Sequence, residues 1–229
     1  MSNDKSVLSK DSAFLVENSL MAFGAGMALQ NRTDVKNAFH FASLVAGRLH
    51  DPEQHSEHWY GQFLKVMQDC GWVTMRRNYE REASSATNVS VGAVALRLLG
   101  AAGTAALGVS AGKAFGLLAK AALEKLGASP DLKNVFLHKR KGKANGMVGL
   151  GACIETAEGE VLLVMGCVAA KAPESENDLL GIEWTITSSE FYTGTAVLSF
   201  NQNLYARVRD TVENKLQDRT ASNVLEYQI

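Results

Sequence analysis

The chain has 229 residues, 46% of them hydrophobic and 21% charged, with a formal net charge of −1. That composition is ordinary for a globular protein and long enough for one large core or two small ones. It excludes a linker-rich chain, since there are only three prolines, and it provides no global basic field to hold nucleic acid. Three cysteines, Cys70, Cys153 and Cys167, are too few for a disulfide scaffold, and their odd number points to free thiols in a reducing, cytoplasmic setting. The N-terminal stretch MSNDKSVLSKDSAF has no basic region followed by an apolar run, so no secretory signal is read. Work outside the producing cell then requires signal-independent export or lysis.

In chain order, residues 11–30 are read as a helix capped by Asp11 or Ser12, with Phe14, Leu15, Leu20 and Met21 near one side. Residues 33–49 make a second helix with Thr33 as N-cap and Val35, Phe39, Ala42 and Ala46 as its stripe. A third starts at Asp51-Pro52 and runs to Asp69, ended by Cys70-Gly71. Residues 72–80 read as a strand of poor alternation. The stretch 89–127 is dominated by Ala, Gly and Leu, so it is helical, with Asn88 or Ser90 as cap, either as one long helix or as a hairpin broken near Gly108–Gly112. Beyond 132 the period changes to two. Strands are expected near 133–140, 146–156, 160–170, 180–188 and 192–200, then a helix opened by Asn201 and running to about Leu216, with the tail NVLEYQI as one more strand. The expected fold is α+β in a single domain, 1–229. In it, N-terminal helices and a glycine-zipper segment (1–130) pack on a mainly antiparallel five-stranded sheet that precedes a C-terminal helix (131–229).

The strand at 160–170 constrains this layout most. Val161, Leu163, Met165 and Cys167 occupy one face, and Leu162, Val164, Gly166 and Val168 the other. A strand apolar on both faces requires cover on both, and the helices of 89–127 are the natural cover for one. If Glu158-Gly159 closes a two-residue turn, residue 153 pairs with 164 and 150 with 167. Cys153 and Cys167 then face opposite sides and no disulfide joins them.

Several motifs carry candidate chemistry. Gly100, Thr104, Gly108, Gly112 and Gly116 stand four apart, with Gly92 continuing the row. Such a row permits close packing inside a protein, or lipid contact by a segment able to leave the core. The uncharged run Leu98 to Gly112 is about five residues short of a membrane span. Gly108-Val109-Ser110-Ala111-Gly112 matches the G-x-S-x-G nucleophile elbow, which would make Ser110 the nucleophile of a serine hydrolase with His138 and Asp131 or Asp178 as partners. The stretch before Ser110 is a poor strand, however, and a match of five residues in Gly/Ala/Ser-rich sequence is common by chance. A phosphate-binding loop fails, with Leu107 where glycine is needed and Ala114 in place of Ser or Thr. The cluster His50 to His58 places His55 and His58 on one helix face but lacks HExxH spacing, so no metal is expected. Lys139, Arg140, Lys141 and Lys143 concentrate charge at an expected hairpin tip, suited to anionic lipid head groups or simply solvated.

The order of elements, the absence of a signal peptide, and a cysteine in a late apolar strand (VLLVMGCVAA around Cys167, or MVGLGACIET around Cys153) resemble the Erwinia virulence factor type family. The resemblance implies a compact α/β protein without a recognised catalytic site, palmitoylation of one cysteine, binding to acidic membranes and persistence in the insect gut. The expected function is therefore a non-enzymatic, membrane-binding or membrane-perturbing virulence or toxin-type factor. No cofactor is expected beyond a covalently bound fatty acid on Cys167 or Cys153. The partners would be acidic phospholipid and further copies of the chain, with no nucleic acid. A serine hydrolase using Ser110 and a self-assembling structural protein are the alternatives.

Overall fold

The computed structural model describes residues 12–16, 19–52, 54–83, 90–128, 145–171, 186 and 190–226. Its strands are β1 (Ser12–Val16), β2 (Ser19–Phe23), β3 (Trp72–Ala83), β4 (Asn145–Glu155), β5 (Val161–Lys171) and β6 (Glu190–Phe200). Its helices are α1 (Leu29–Leu49), α2 (Ser56–Asp69), α3 (Val91–Leu107), α4 (Val109–Ala128), α5 (Gln202–Ala206) and α6 (Arg209–Glu226). The strands form one sheet in the order β1-β2-β4-β5-β6-β3. All neighbours are antiparallel except β2 and β4, which run parallel. The α+β class stands, with six strands among the described residues rather than five, and strands from both halves of the chain enter the same sheet.

The largest correction concerns residues 11–30. SAFLV and SLMAF form an antiparallel pair, Val16 against Ser19, and only residues from Leu29 onward are helical. Apolar residues at 14, 15, 20 and 21 satisfy either period, and short apolar runs do not by themselves separate helix from buried strand. In β2 the alternation decides it: Leu20 and Ala22 enter the core on one side of the sheet, Met21 and Phe23 the core on the other. Thr33 is consequently interior to α1. The N–H of Ala28, at its N-cap, donates to the Glu155 carboxylate 2.8 Å away. The C-terminal tail is helical through Glu226 rather than a strand. The strands expected at 133–140 and 180–188 lie almost wholly outside the described residues, Ile186 alone being buried.

The segment 89–127 is a helical hairpin. Ser90 caps α3 by accepting from the Ala93 N–H at 3.1 Å, and Gly108, at φ +90°, ends it. The α3–α4 pair covers one face of the sheet, as the two-sided pattern of β5 requires. A Cβ on Gly166 would lie 2.7 Å from the Ala95 carbonyl oxygen, so the absence of a side chain there lets α3 rest on the strand. Helices α1, α2 and α6 cover the opposite face. There the buried carboxylate of Asp34 receives two hydrogen bonds from Arg209, at 3.0 and 2.6 Å, tying α6 to α1.

Candidate functional site

The β4–β5 connection is one residue longer than the expected two-residue turn. Glu155 pairs with Val161, and Gly159 takes φ +83° in the loop between Thr156 and Glu160. A one-residue change of register reverses every relative facing. Cys153 therefore pairs with Leu163, and both Cys153 and Cys167 point to the α1–α2 side, contrary to the expectation of opposite faces. They still form no disulfide: all three cysteines are free and buried. Four strand residues separate Cys167 from Leu163, the partner of Cys153, which is about 13 Å along the sheet.

The same register places Cys167 at the centre of a row of small residues across the sheet. Ser19 of β2 pairs with Gly149 of β4, Gly149 with Cys167 of β5, Cys167 with Gly194 of β6, and Gly194 with Tyr79 of β3. With glycine on each side, the sheet has a hollow around the thiol. On the Gly194 side the hollow is filled. A Cβ there would come within 2.6 Å of the Cys167 sulfur and 3.1 Å of the Tyr60 ring, which is held by its hydroxyl donating to the Thr195 carbonyl at 2.6 Å.

On the Gly149 side the Ser19 side chain occupies the place a Cβ would take, and beside it lies a cavity of about 410 Å³, within the range of small-molecule pockets. Its floor is Ser19, Met147, Gly149, Met165 and Cys167. The α1 side chains Phe39, Ser43 and Leu44 form one wall and Trp59 of α2 another. Trp59 stacks on Phe63 at 5.3 Å, and Phe63 meets Phe39 edge-on at 5.0 Å, so the aromatic wall is braced from behind. Arg48 of α1 and Arg219 of α6 also border the cavity; both are exposed, and neither has an ion-pair partner among the described residues. Ser43 is 7% exposed and makes no hydrogen bond to another described residue.

Burial pushes the Cys167 thiol up to about 12, with the N–H of Gly194 beside it acting in the opposite direction. Cys70, at the end of α2, is raised to about 11 by burial and by the adjacent Asp69. Cys153 is also raised, by burial first and then by Glu155. At neutral pH all three are protonated thiols and poor nucleophiles. Cys167 borders the cavity; Cys70 and Cys153 do not.

Other sequence candidates fall elsewhere. In the zipper row, a Cβ on Gly112 would run into the backbone and hydroxyl of Thr104, so these two residues mediate α3–α4 contact. Gly100, Gly108 and Gly116 face open space instead. Ser110 is exposed in the first turn of α4 and follows a helix, not a strand, so the strand-turn-helix of a nucleophile elbow does not form. Its suggested partners His138, Asp131 and Asp178, and the basic run Lys139, Arg140, Lys141 and Lys143, lie outside the described residues. The rings of His50 and His55 lie 5.6 and 6.2 Å from His58, but no group of three metal-ligating side chains occurs among the described residues. No described helix is long and apolar enough to cross a membrane.

The cavity was not legible in the sequence as a unit. The period-two pattern around Cys167 identified its face, but the flanking glycines depend on register and the wall depends on which helix lands above it.

The sequence matches no protein-family model and no curated protein. Among solved structures the chain is similar to "Structure of the Evf virulence factor", with a TM-score of 0.43 and 11% identity over 87% of this chain and 82% of that one.

Proposed function

We propose that this protein is a non-enzymatic lipid-bearing factor that carries a fatty acyl chain as a thioester on Cys167 and associates with acidic membranes. One observation supports the reading above the others: the Cys167 thiol forms part of the floor of a cavity whose lining includes Phe39, Leu44, Trp59, Met147 and Met165. Burying an acyl chain there removes it from water at about 0.8 kcal/mol per CH₂. In the transfer, the Cys167 sulfur attacks the carbonyl of an activated acyl thioester, the new S–C bond forms, and the donor thiol departs with the proton. A thiol raised to about 12 does not do this unaided at neutral pH. The transfer therefore belongs to a dedicated enzyme, or to a stage of folding before α1 and α2 close over the sulfur. One acyl chain gives only marginal membrane affinity, so a second attachment is needed. The basic run at 139–143 is the sequence's candidate for it.

The intact mass of protein purified from its native cell tests this. The expected result is the mass of the chain plus one long acyl group, removed by hydroxylamine after unfolding and absent from Cys167→Ser. Acylated protein should float with acidic vesicles at low salt more strongly than the serine variant. A bare mass, or an acyl group that persists in Cys167→Ser, overturns the assignment to Cys167.

A further inference from the structure

The cavity holds more than a thiol and a greasy floor. The Ser43 hydroxyl, on a side chain 7% exposed, faces it without a hydrogen-bond partner among the described residues. Its oxygen is reached from the cavity rather than sealed inside the protein, so it is available to whatever occupies that space, water or a ligand. At the border stand Arg48 and Arg219, from two different helices, both exposed and without a carboxylate partner among the described residues. Guanidinium groups recognise carboxylate and phosphate oxygens through paired N–H donors. A floor of Met147, Met165, Gly149 and Cys167, the hydroxyls of Ser19 and Ser43, and two cations at the edge together match one class of molecule.

We infer that the cavity of the unacylated protein is a reversible binding site for a free single-chain anionic amphiphile, its head group held by Arg48 and Arg219 and its chain lying over Met147 and Met165 toward Cys167. The inference uses the same cavity as the acyl-chain reading and deepens it, because the free ligand and a thioester-linked chain compete for one space. It does not depend on acylation, since no covalent bond is involved.

The experiment uses full-length Cys167→Ser protein, which cannot be acylated there. Binding is read by quenching of tryptophan fluorescence, to which Trp59 at the cavity wall contributes, with bromine-labelled palmitate. Displacement is then measured with unlabelled palmitate, a single-chain lysophosphatidate, zwitterionic lysophosphatidylcholine and hexadecanol. The expected result is saturable binding, with both anions displacing at least tenfold better than the alcohol or the zwitterion. The exposed-residue variant Arg48→Gln/Arg219→Gln should weaken both anions at least tenfold and leave hexadecanol unchanged. Ser43→Phe, which fills the cavity, should abolish all binding while circular dichroism stays unaltered. Equal displacement by palmitate and hexadecanol, unchanged palmitate affinity in the double glutamine variant, or no saturable quenching overturns the inference. A bare native mass would instead overturn the acylation reading and leave this result untouched.

Discussion

The two faces of the sheet are closed by different means. On the α3–α4 side, backbone meets backbone: Gly166 admits the Ala95 carbonyl, and Gly103 faces the Cα of Gly112 at 3.2 Å from where its Cβ would stand. Alanine, valine and leucine fill most of the remainder. On the α1–α2 side the spacing is set by large rings, including Phe39, Phe63, Trp72 and Tyr205, and α6 is fastened by the Asp34–Arg209 pair. All three cysteines and the cavity belong to that second face. Small residues allow layers to close without voids, whereas bulky rings meeting a glycine-flanked row leave a hollow. The contrast is close packing on one face and an open cavity on the other.

Substitutions that treat both faces alike should break this contrast if it is wrong. The largest effect is expected for Gly166→Val, which drives a side chain into the α3 backbone and should cost about 3 kcal/mol in denaturant unfolding. Arg209→Met should cost about 2 kcal/mol, the loss for a broken buried pair reduced for the 29% exposure of the arginine side chain. On the cavity side, Ser43→Leu adds volume but should raise stability by about 1 kcal/mol, since it fills open space with apolar surface. Opposite signs for Gly166→Val and Ser43→Leu are the decisive pattern, and a loss in both would mean the cavity face is as tightly packed as the other.

The smallest effect concerns pH. The thiols of Cys70 and Cys167 ionise at about 11 and about 12 in the folded chain, against 9.0 for a free thiol. Above pH 9 the unfolded chain has released protons that the folded chain retains, so stability is fully present below that pH and falls as pH rises toward 11–12. The loss is about 0.4 kcal/mol per thiol at pH 9. Urea midpoints at pH 7, 9 and 10 should show it, and the slope should flatten in Cys70→Ala and Cys167→Ala.

The sequence carried much of the fold where period and composition were unambiguous. The C-terminal end of α2 at Cys70-Gly71, the Ser90 and Asn201 caps, and the two-sided burial of β5 all follow from local chemistry, whereas α2 begins at Ser56 and not at the expected Asp51-Pro52. What it did not carry depended on partners distant in the chain. Ser12–Phe23 became two strands because β2 lies beside β4, a pairing no local pattern encodes. One added loop residue before Val161 reversed the facing of Cys153 relative to Cys167. The candidate site was legible only as an apolar strand with a cysteine in it. Its floor follows from Gly149 and Ser19 arriving beside the sulfur, and its walls and rim from helices whose placement is tertiary.

The parallel joining of β2 to β4 and the docking of β3 onto β6 have a consequence for biosynthesis. Residues 19–23 wait for 149–153, and residues 72–83 wait for 190–200. Contacts between such remote segments form slowly and late. A ribosome releases β5, with Cys167, before β6 and α6 exist to enclose it. Translation rate thus sets how long that sulfur stays uncovered, and slower codons between Lys171 and Arg209 would lengthen the interval.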